Sequence, residues 1–155
     1  MIGRTCAHFG FGLLIFGVTA VTSWEIEDIR DVEVGEKYYL KSYQIVFNGV
    51  NYSAEKNFKK VSGSFEVFKN SKLVGTLLPE KRLYPSRNEV TTEASIKPTL
   101  FKDFYMVLGN KLDENAWVVR TYIKPFISFI WVGVILIALG GFFSVFSFIS
   151  YKSRV

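Results

Sequence analysis

Hydrophobic and polar positions divide the chain into three regimes: apolar to Ser23, charged and alternating to Thr121, then apolar again. The last run is the plainest. From Phe126 to Ile149 it reads FISFIWVGVILIALGGFFSVFSFI, without a charged side chain. About 20 helical residues cross a hydrocarbon core about 30 Å thick, so the pattern predicts a membrane-spanning helix over 125–151. Lys124 and Trp131 stand toward one end, and Tyr151, Lys152 and Arg154 toward the other. Amphipathic rings and snorkelling cations meet headgroups at such ends.

The first run, MIGRTCAHFGFGLLIFGVTAVTS, is weaker. One cation near its start and an apolar stretch from Phe9 to Val21 are also the form of a secretory signal. Ala20-Val21-Thr22 is a poor small-residue cleavage pattern, however, and the reading favours a retained transmembrane helix over 5–23. Gly3, Gly10 and Gly17 recur every seven residues, which predicts close packing on another helix, while Gly12 breaks a simple one-face series.

Between the two runs, over 24–124, the period is two. Tyr43 to Phe47 alternates up to Asn48-Gly49, a turn signal, and Ser64 to Lys69 alternates up to Asn70-Ser71. Lys72 to Leu78 stops at Pro79, and Glu89 to Lys97 and Ala116 to Tyr122 complete five or six strands. Thr99 to Leu108 reads as a short helix or an irregular extended stretch. The fold class is therefore a membrane protein with two transmembrane α-helices flanking an all-β domain, a small antiparallel barrel or sandwich.

Charge sharpens this picture. The formal net charge is +5, yet the middle carries all 14 acidic residues together with all of the 19 Lys and Arg except Arg4, Lys152 and Arg154. Interspersed signs of nearly equal number argue against a nucleic-acid partner. Immediately after Trp24, EIEDIRDVEVGE holds six acidic residues against one arginine. With basic residues outside both apolar runs, both termini are expected on the cytoplasmic or matrix side and the middle on the opposite face.

Chemistry-bearing residues are few. Cys6 is the only cysteine, so no disulfide forms within the chain. There is no Ser-His-Asp set, metal-ligand cluster or phosphate-cradling glycine loop. His8, the only histidine, sits about one turn inside the first helix. Three roles fit it: an iron ligand, an interhelical hydrogen bond, or an interfacial contact with headgroups. In the tract Pro79-Glu80-Lys81-Arg82-Leu83-Tyr84-Pro85, followed by Glu89 and Glu93, charges alternate densely. Such a tract either forms a solvated or mutually paired rim or faces an acidic group such as a propionate. Lys81 and Arg82 have solution pKa values too high for proton shuttling near neutrality, so they are expected to stabilise the domain or its docking surface.

The ordered string adds a resemblance. Ala7-His8-Phe9-Gly10 opens the first helix, and Asn51-Tyr52-Ser53-Ala54-Glu55, Pro79 to Tyr84 and Thr92-Glu93-Ala94-Ser95-Ile96 follow. Asp103 to Gly109, Trp117-Val118-Val119-Arg120, Lys124-Pro125-Phe126 and Gly140-Gly141 complete the series. End to end, these pieces resemble the C-terminal part of CcmF, the haem lyase family of the multi-subunit cytochrome c maturation system. The resemblance implies that His8 is one axial ligand of a membrane-embedded haem b, its mate lying on an earlier helix. It also implies a haem lyase that is inactive alone, with Lys81, Arg82, Tyr84, Glu93 and Arg120 as structural or docking candidates. The implied partners are the remaining multi-helix part of the lyase, the haem chaperone and apocytochrome thiol-handling components, and apocytochrome c itself. The implied location is a bacterial or mitochondrial inner membrane. The family's tryptophan-rich haem-handling segment has no counterpart here: Trp24, Trp117 and Trp131 are dispersed. Starting at Met1, the chain fits a naturally split subunit or a fragment of a longer product. Two alternatives stay open: a membrane-anchored β domain that only docks a partner, and a secreted β domain released by signal cleavage.

Overall fold

The structure, a computed structural model, describes residues 2–152; Arg154, one of the flanking cations, lies outside them. Two compact units divide the chain.

The first unit consists of α1 (Ile2–Trp24), α2 (Ile127–Lys152) and the segment 99–103. Ile2–Trp24 and Ile127–Ser147 are each long and apolar enough to cross a membrane. The helices run antiparallel: Gly3 lies against Gly140 and Ser144, whereas Gly17 lies against Ile130. Gly3, Gly10 and Gly17 are all buried in this seam, as are Gly133 and Gly140 from the other side. A methyl built on Gly10 would stand 2.7 Å from the Gly133 carbonyl oxygen and 2.8 Å from Leu136 Cβ. On Gly140 it would stand 2.5 Å from the Ala7 amide nitrogen. The period of seven is thus a seam where two backbones meet and no side chain fits. Half-buried beside it, the Cys6 thiol donates to the Leu136 carbonyl at 3.4 Å. Where α2 begins, Phe126 adopts a left-handed φ of 58° and its N–H donates to the Phe101 carbonyl at 2.8 Å. Phe16, Phe101, Phe126 and Phe129 gather around that turn as edge-to-face or tilted pairs.

The second unit is a β-sandwich. Its strands are β1 (Ile26–Glu33), β2 (Lys37–Leu40), β3 (Tyr43–Ala54), β4 (Lys59–Lys69), β5 (Lys72–Leu77), β6 (Glu80–Tyr84), β7 (Glu89–Glu93), β8 (Ser95–Lys97), β9 (Lys102–Lys111) and β10 (Ala116–Pro125). One sheet has the order β1-β10-β9-β8; the other runs β2-β3-β4-β6-β7, with β5 also on β4. Alternate residues of both sheets meet inside. Phe47 and Phe65 stack with centroids 4.4 Å apart, joined by Ile45, Met106, Leu108 and Val119, all fully buried. Tyr38 is buried with them; its hydroxyl lies 3.3 Å from Thr121 Oγ1, and burial pushes its pKa up to about 12.

A sandwich, not a barrel, is the outcome. There are more strands among the described residues than the five or six expected. Asn48-Gly49 does not turn the chain: β3 continues to Ala54 through a bulge between Phe47 and Gly49, with Gly49 at φ 129° supplying the distortion. The stretch expected as helix or irregular chain is largely strand β9. Glu89–Lys97 is two strands, β7 and β8, one in each sheet. Asn70 and Ser71, with φ of 49° and 61°, do form the expected tight hairpin between β4 and β5.

β4 organises the second sheet. It pairs with β3 along its length, with β5 through 65–69 and with β6 through 59–62. β5 and β6 therefore follow one another along the same edge, interrupted at Leu78-Pro79, where proline has no N–H to donate. Beyond that break, β6 and β7 contribute no residue to the buried core cluster. They form an arm with two accessible faces.

Candidate functional site

Strand alternation decides what the charged arm does. Cross-strand partners Tyr52↔Val61, Val61↔Lys81 and Lys81↔Thr92 share one face, as do Ala54↔Lys59, Lys59↔Leu83 and Leu83↔Val90. Lys60↔Arg82, Ser62↔Glu80 and Glu80↔Glu93 share the other. Lys81 and Arg82, adjacent in sequence, consequently belong to different environments.

On the polar face Glu80 is a hub. Its Oε1 accepts from Lys60 Nζ at 2.9 Å and Ser62 Oγ at 3.2 Å; its Oε2 accepts from Arg82 Nε at 3.0 Å and Nη2 at 2.8 Å. The Lys60 bond, with help from Arg82 and Ser62, outweighs partial burial and holds the Glu80 carboxyl below its ordinary value. Reciprocally, Glu80 raises the already high pKa of Arg82. Glu93 lies 3.8 Å from Arg82 Nη1, and the guanidinium stands 5.1 Å over the Phe58 ring, which packs on Tyr84. Arg82, Tyr84 and Glu93 are thus brought together, and Arg82 is already engaged by a carboxylate of its own chain. Sequence reasoning missed Glu80 and Lys60. The spacing of Glu80 and Arg82 at i, i+2 was the available signal, because in a strand it puts both on one face.

Lys81 reaches elsewhere, donating to Asn110 Oδ1 at 2.6 Å and the Gly109 carbonyl at 3.4 Å. It lines a shallow hollow with Thr92, Val118 and Arg120. Arg120 is half exposed; its Nη1 donates to the Tyr122 hydroxyl at 3.3 Å, and its Nε lies 3.8 Å from Glu27. Nearby on the same face of the arm, Tyr52, Leu83 and Val90 form an exposed apolar patch. It was invisible while β3 was expected to stop at Asn48.

His8 belongs to the helical unit. At about 100° per residue, it lies some 200° around α1 from Gly10, on the side facing away from α2. Its ring is exposed, and Nδ1 lies 2.8 Å from the Arg4 carbonyl oxygen. A carbonyl only accepts, so Nδ1 carries the proton and, in the neutral ring, Nε2 carries the lone pair. This backbone bond sets the tautomer a metal needs, as second-shell partners do for ligating imidazoles. No group of three or more His, Cys, Asp or Glu capable of holding a metal occurs among the described residues. His8 would therefore hold an iron as a single imidazole, supplying one nitrogen ligand.

The model of the CcmF C-terminal beta-sandwich matches residues 23–125. The chain belongs to the CcmF family. It is 39% identical over 90% of its length to the cytochrome c-type biogenesis protein ccl1 of Rhodobacter capsulatus. It is 33% identical over 90% to CcmF of Pseudomonas aeruginosa, and 32% identical over 99% to CcmF of Escherichia coli. These alignments cover 21%, 21% and 24% of the relatives, so the chain corresponds to about a quarter or less of each. A solved structure described as cytochrome c heme lyase CcmF shares the fold, with a TM-score of 0.72 at 18% identity over 90% of this chain and 23% of that one.

Proposed function

We propose that this chain is the C-terminal portion of a CcmF-type cytochrome c haem lyase, contributing one axial ligand to a membrane haem b and a sandwich domain on the exported face. Family membership supports the general assignment, since the relatives are named for cytochrome c biogenesis. The observation that carries the site is His8: an outward-facing imidazole whose Nδ1 is committed to the Arg4 carbonyl, leaving Nε2 as the donor atom. The donor set fits haem on one side only, and the chain has no second histidine. The other axial ligand comes from the remaining multi-helix part of the lyase. When bound, haem b supplies a one-electron carrier.

In this reading the chain's own residues bind and position. Arg4 fixes the imidazole tautomer through its carbonyl, and the glycine seam holds α1 firmly on α2, so that His8 keeps one orientation. That seam favours a retained helix over a cleaved signal, because cleavage near Ser23 would discard a packed partner of α2. Arg4, Lys152 and Arg154 at the far ends of the two apolar runs, and the acidic stretch 25–36 between them, support a sandwich on the periplasmic or intermembrane-space side. There it meets apocytochrome c and the haem-delivering and thiol-handling components, whose haem and cysteine thiols form the thioether bonds.

The test is the reduced-minus-oxidised spectrum of the assembled lyase containing this chain, from wild type and His8→Ala. Loss of the haem b signal with retained assembly is the expected result. An unchanged bis-histidine spectrum at full haem occupancy would assign the ligand elsewhere and leave a docking role for the domain.

A further inference from the structure

We infer that Arg4, His8 and Gly12 form one stripe along α1 that seats and orients the haem macrocycle, propionate edge toward Arg4 and apolar edge over Gly12. The inference rests on His8 as a ligand and adds two positioning residues to it. Successive members are four residues apart, so each lies about 40° around and about 6 Å along the helix from the next. All three are exposed, on the side of α1 away from the glycine seam.

The glycines separate cleanly by what surrounds them. Gly3, Gly10 and Gly17 are each filled against α2, but a methyl on Gly12 would meet nothing within 4 Å. Packing inside this chain therefore gives no reason for a residue that is a poorer helix former than alanine. One turn beyond a histidine with an outward lone pair, the missing side chain leaves a hollow where a flat ring bound at Nε2 can approach the backbone. Phe11 and Ile15, 57% and 51% exposed on the same side, supply apolar walls for that ring. At the other end of the stripe the Arg4 side chain makes no ion pair among the described residues, and residues 2–24 hold no Asp or Glu. An exposed guanidinium one turn before the ligand is matched by an acid carried on the ring itself, in bidentate charge-assisted contact. The stripe thus has a cationic end and an apolar end, as a macrocycle with both propionates on one edge requires.

The experiment uses the assembled lyase purified with wild type, His8→Ala, Gly12→Ala, Gly12→Leu, Arg4→Gln and Arg4→Lys forms of this chain. Gly141→Leu serves as control, since a methyl at Gly141 also meets nothing within 4 Å. Haem b per complex, redox midpoint potential and co-purification of the other lyase segments are measured. Gly12→Leu is expected to lose most of the haem without losing its partners, Gly12→Ala to lose part of it, and Gly141→Leu to lose none. Arg4→Gln is expected to retain haem at a lower midpoint potential, because a cation near the ring favours the reduced state, with Arg4→Lys restoring most of the shift. Full haem occupancy in Gly12→Leu overturns the inference. So does loss of partners in that variant, which would assign the hollow to a neighbouring helix, and so does an unmoved potential in Arg4→Gln. If His8→Ala keeps its haem, the ligand assignment fails. If His8→Ala loses haem while the Gly12 and Arg4 variants match wild type, only the orienting stripe fails.

Discussion

Glu80 shows how a single carboxylate converts a run of charges into structure. Both of its oxygens are occupied, by Lys60 and Ser62 on one side and Arg82 on the other. Glu80→Gln keeps the shape and removes the charge, leaving Lys60 and Arg82 without their shared counter-ion. Loss of about 1–3 kcal/mol of stability is expected for partly buried charge-assisted bonds of this kind, read from denaturant or thermal unfolding of the whole chain in detergent. The pH dependence follows from the sign of the shift. Because folding depresses the Glu80 pKa, its contribution is fully present above the ordinary glutamate value and fades below about pH 4.3 as the folded-state carboxyl takes up its proton. Tyr38 acts at the other extreme: its folded value, raised to about 12 by burial, gives a contribution present below about pH 10 and lost as the pH climbs to 12. Removing Glu80 should flatten only the acid limb. In the sequence, Lys81 and Arg82 stood out because they are adjacent, whereas a strand separates neighbours and unites alternate residues. Nothing local could show that Lys60, twenty positions away from Glu80, would be the principal partner.

At the scale of elements, the helices were the most legible part of the chain and the arm the least. Length and apolarity mark α1 and α2 directly, and the period of seven marks the seam. What the spacing left ambiguous was Gly12, and the backbone settles it by turning that residue outward. A direct comparison follows. Gly10→Ile forces a side chain into the Gly133 carbonyl and Leu136, and should lower stability in detergent by about 1–3 kcal/mol or separate the helices. Gly12→Ile in the same isolated chain should leave thermal stability within about 0.5 kcal/mol, as surface changes usually do. Equal losses at both sites would mean that α1 packs differently. Among the strands, Asn48-Gly49 misled because a glycine with positive φ serves a bulge as well as a turn, and only the partner strand distinguishes them. The tract 80–84 carried no apolar alternation to mark it as a strand, because its alternation is of charge with charge. Pairing across β4 and β7 satisfies its backbone despite the lack of an apolar face on the polar side.

For the whole molecule, the charge asymmetry visible in the sequence is what supports the proposed topology, with both ends on one side of the membrane and the sandwich on the other. Tags at each terminus, tested by protease protection in sealed vesicles, should both be reached only from the cytoplasmic or matrix face; a tag open to the exported face reverses the assignment. The proposed function was legible only through ordered resemblance, because one outward-facing histidine supplies at most one ligand and composition names no partner for it. One feature of the sandwich carries a separate meaning for its history. β1 and β10 are antiparallel neighbours, with Ile26 opposite Ile123, so the chain enters and leaves the domain on adjacent strands. Paired residues in such a ladder have Cα atoms about 5 Å apart, a gap that a two-residue turn can close. The sandwich therefore sits in the chain as an insertion with adjacent entry and exit, which keeps its loop-closure entropy small, although the segment 99–103 belongs with the helices. A module entered and left on paired strands can vary in its distal turns while the spacing of its two junctions stays fixed by the β1–β10 ladder.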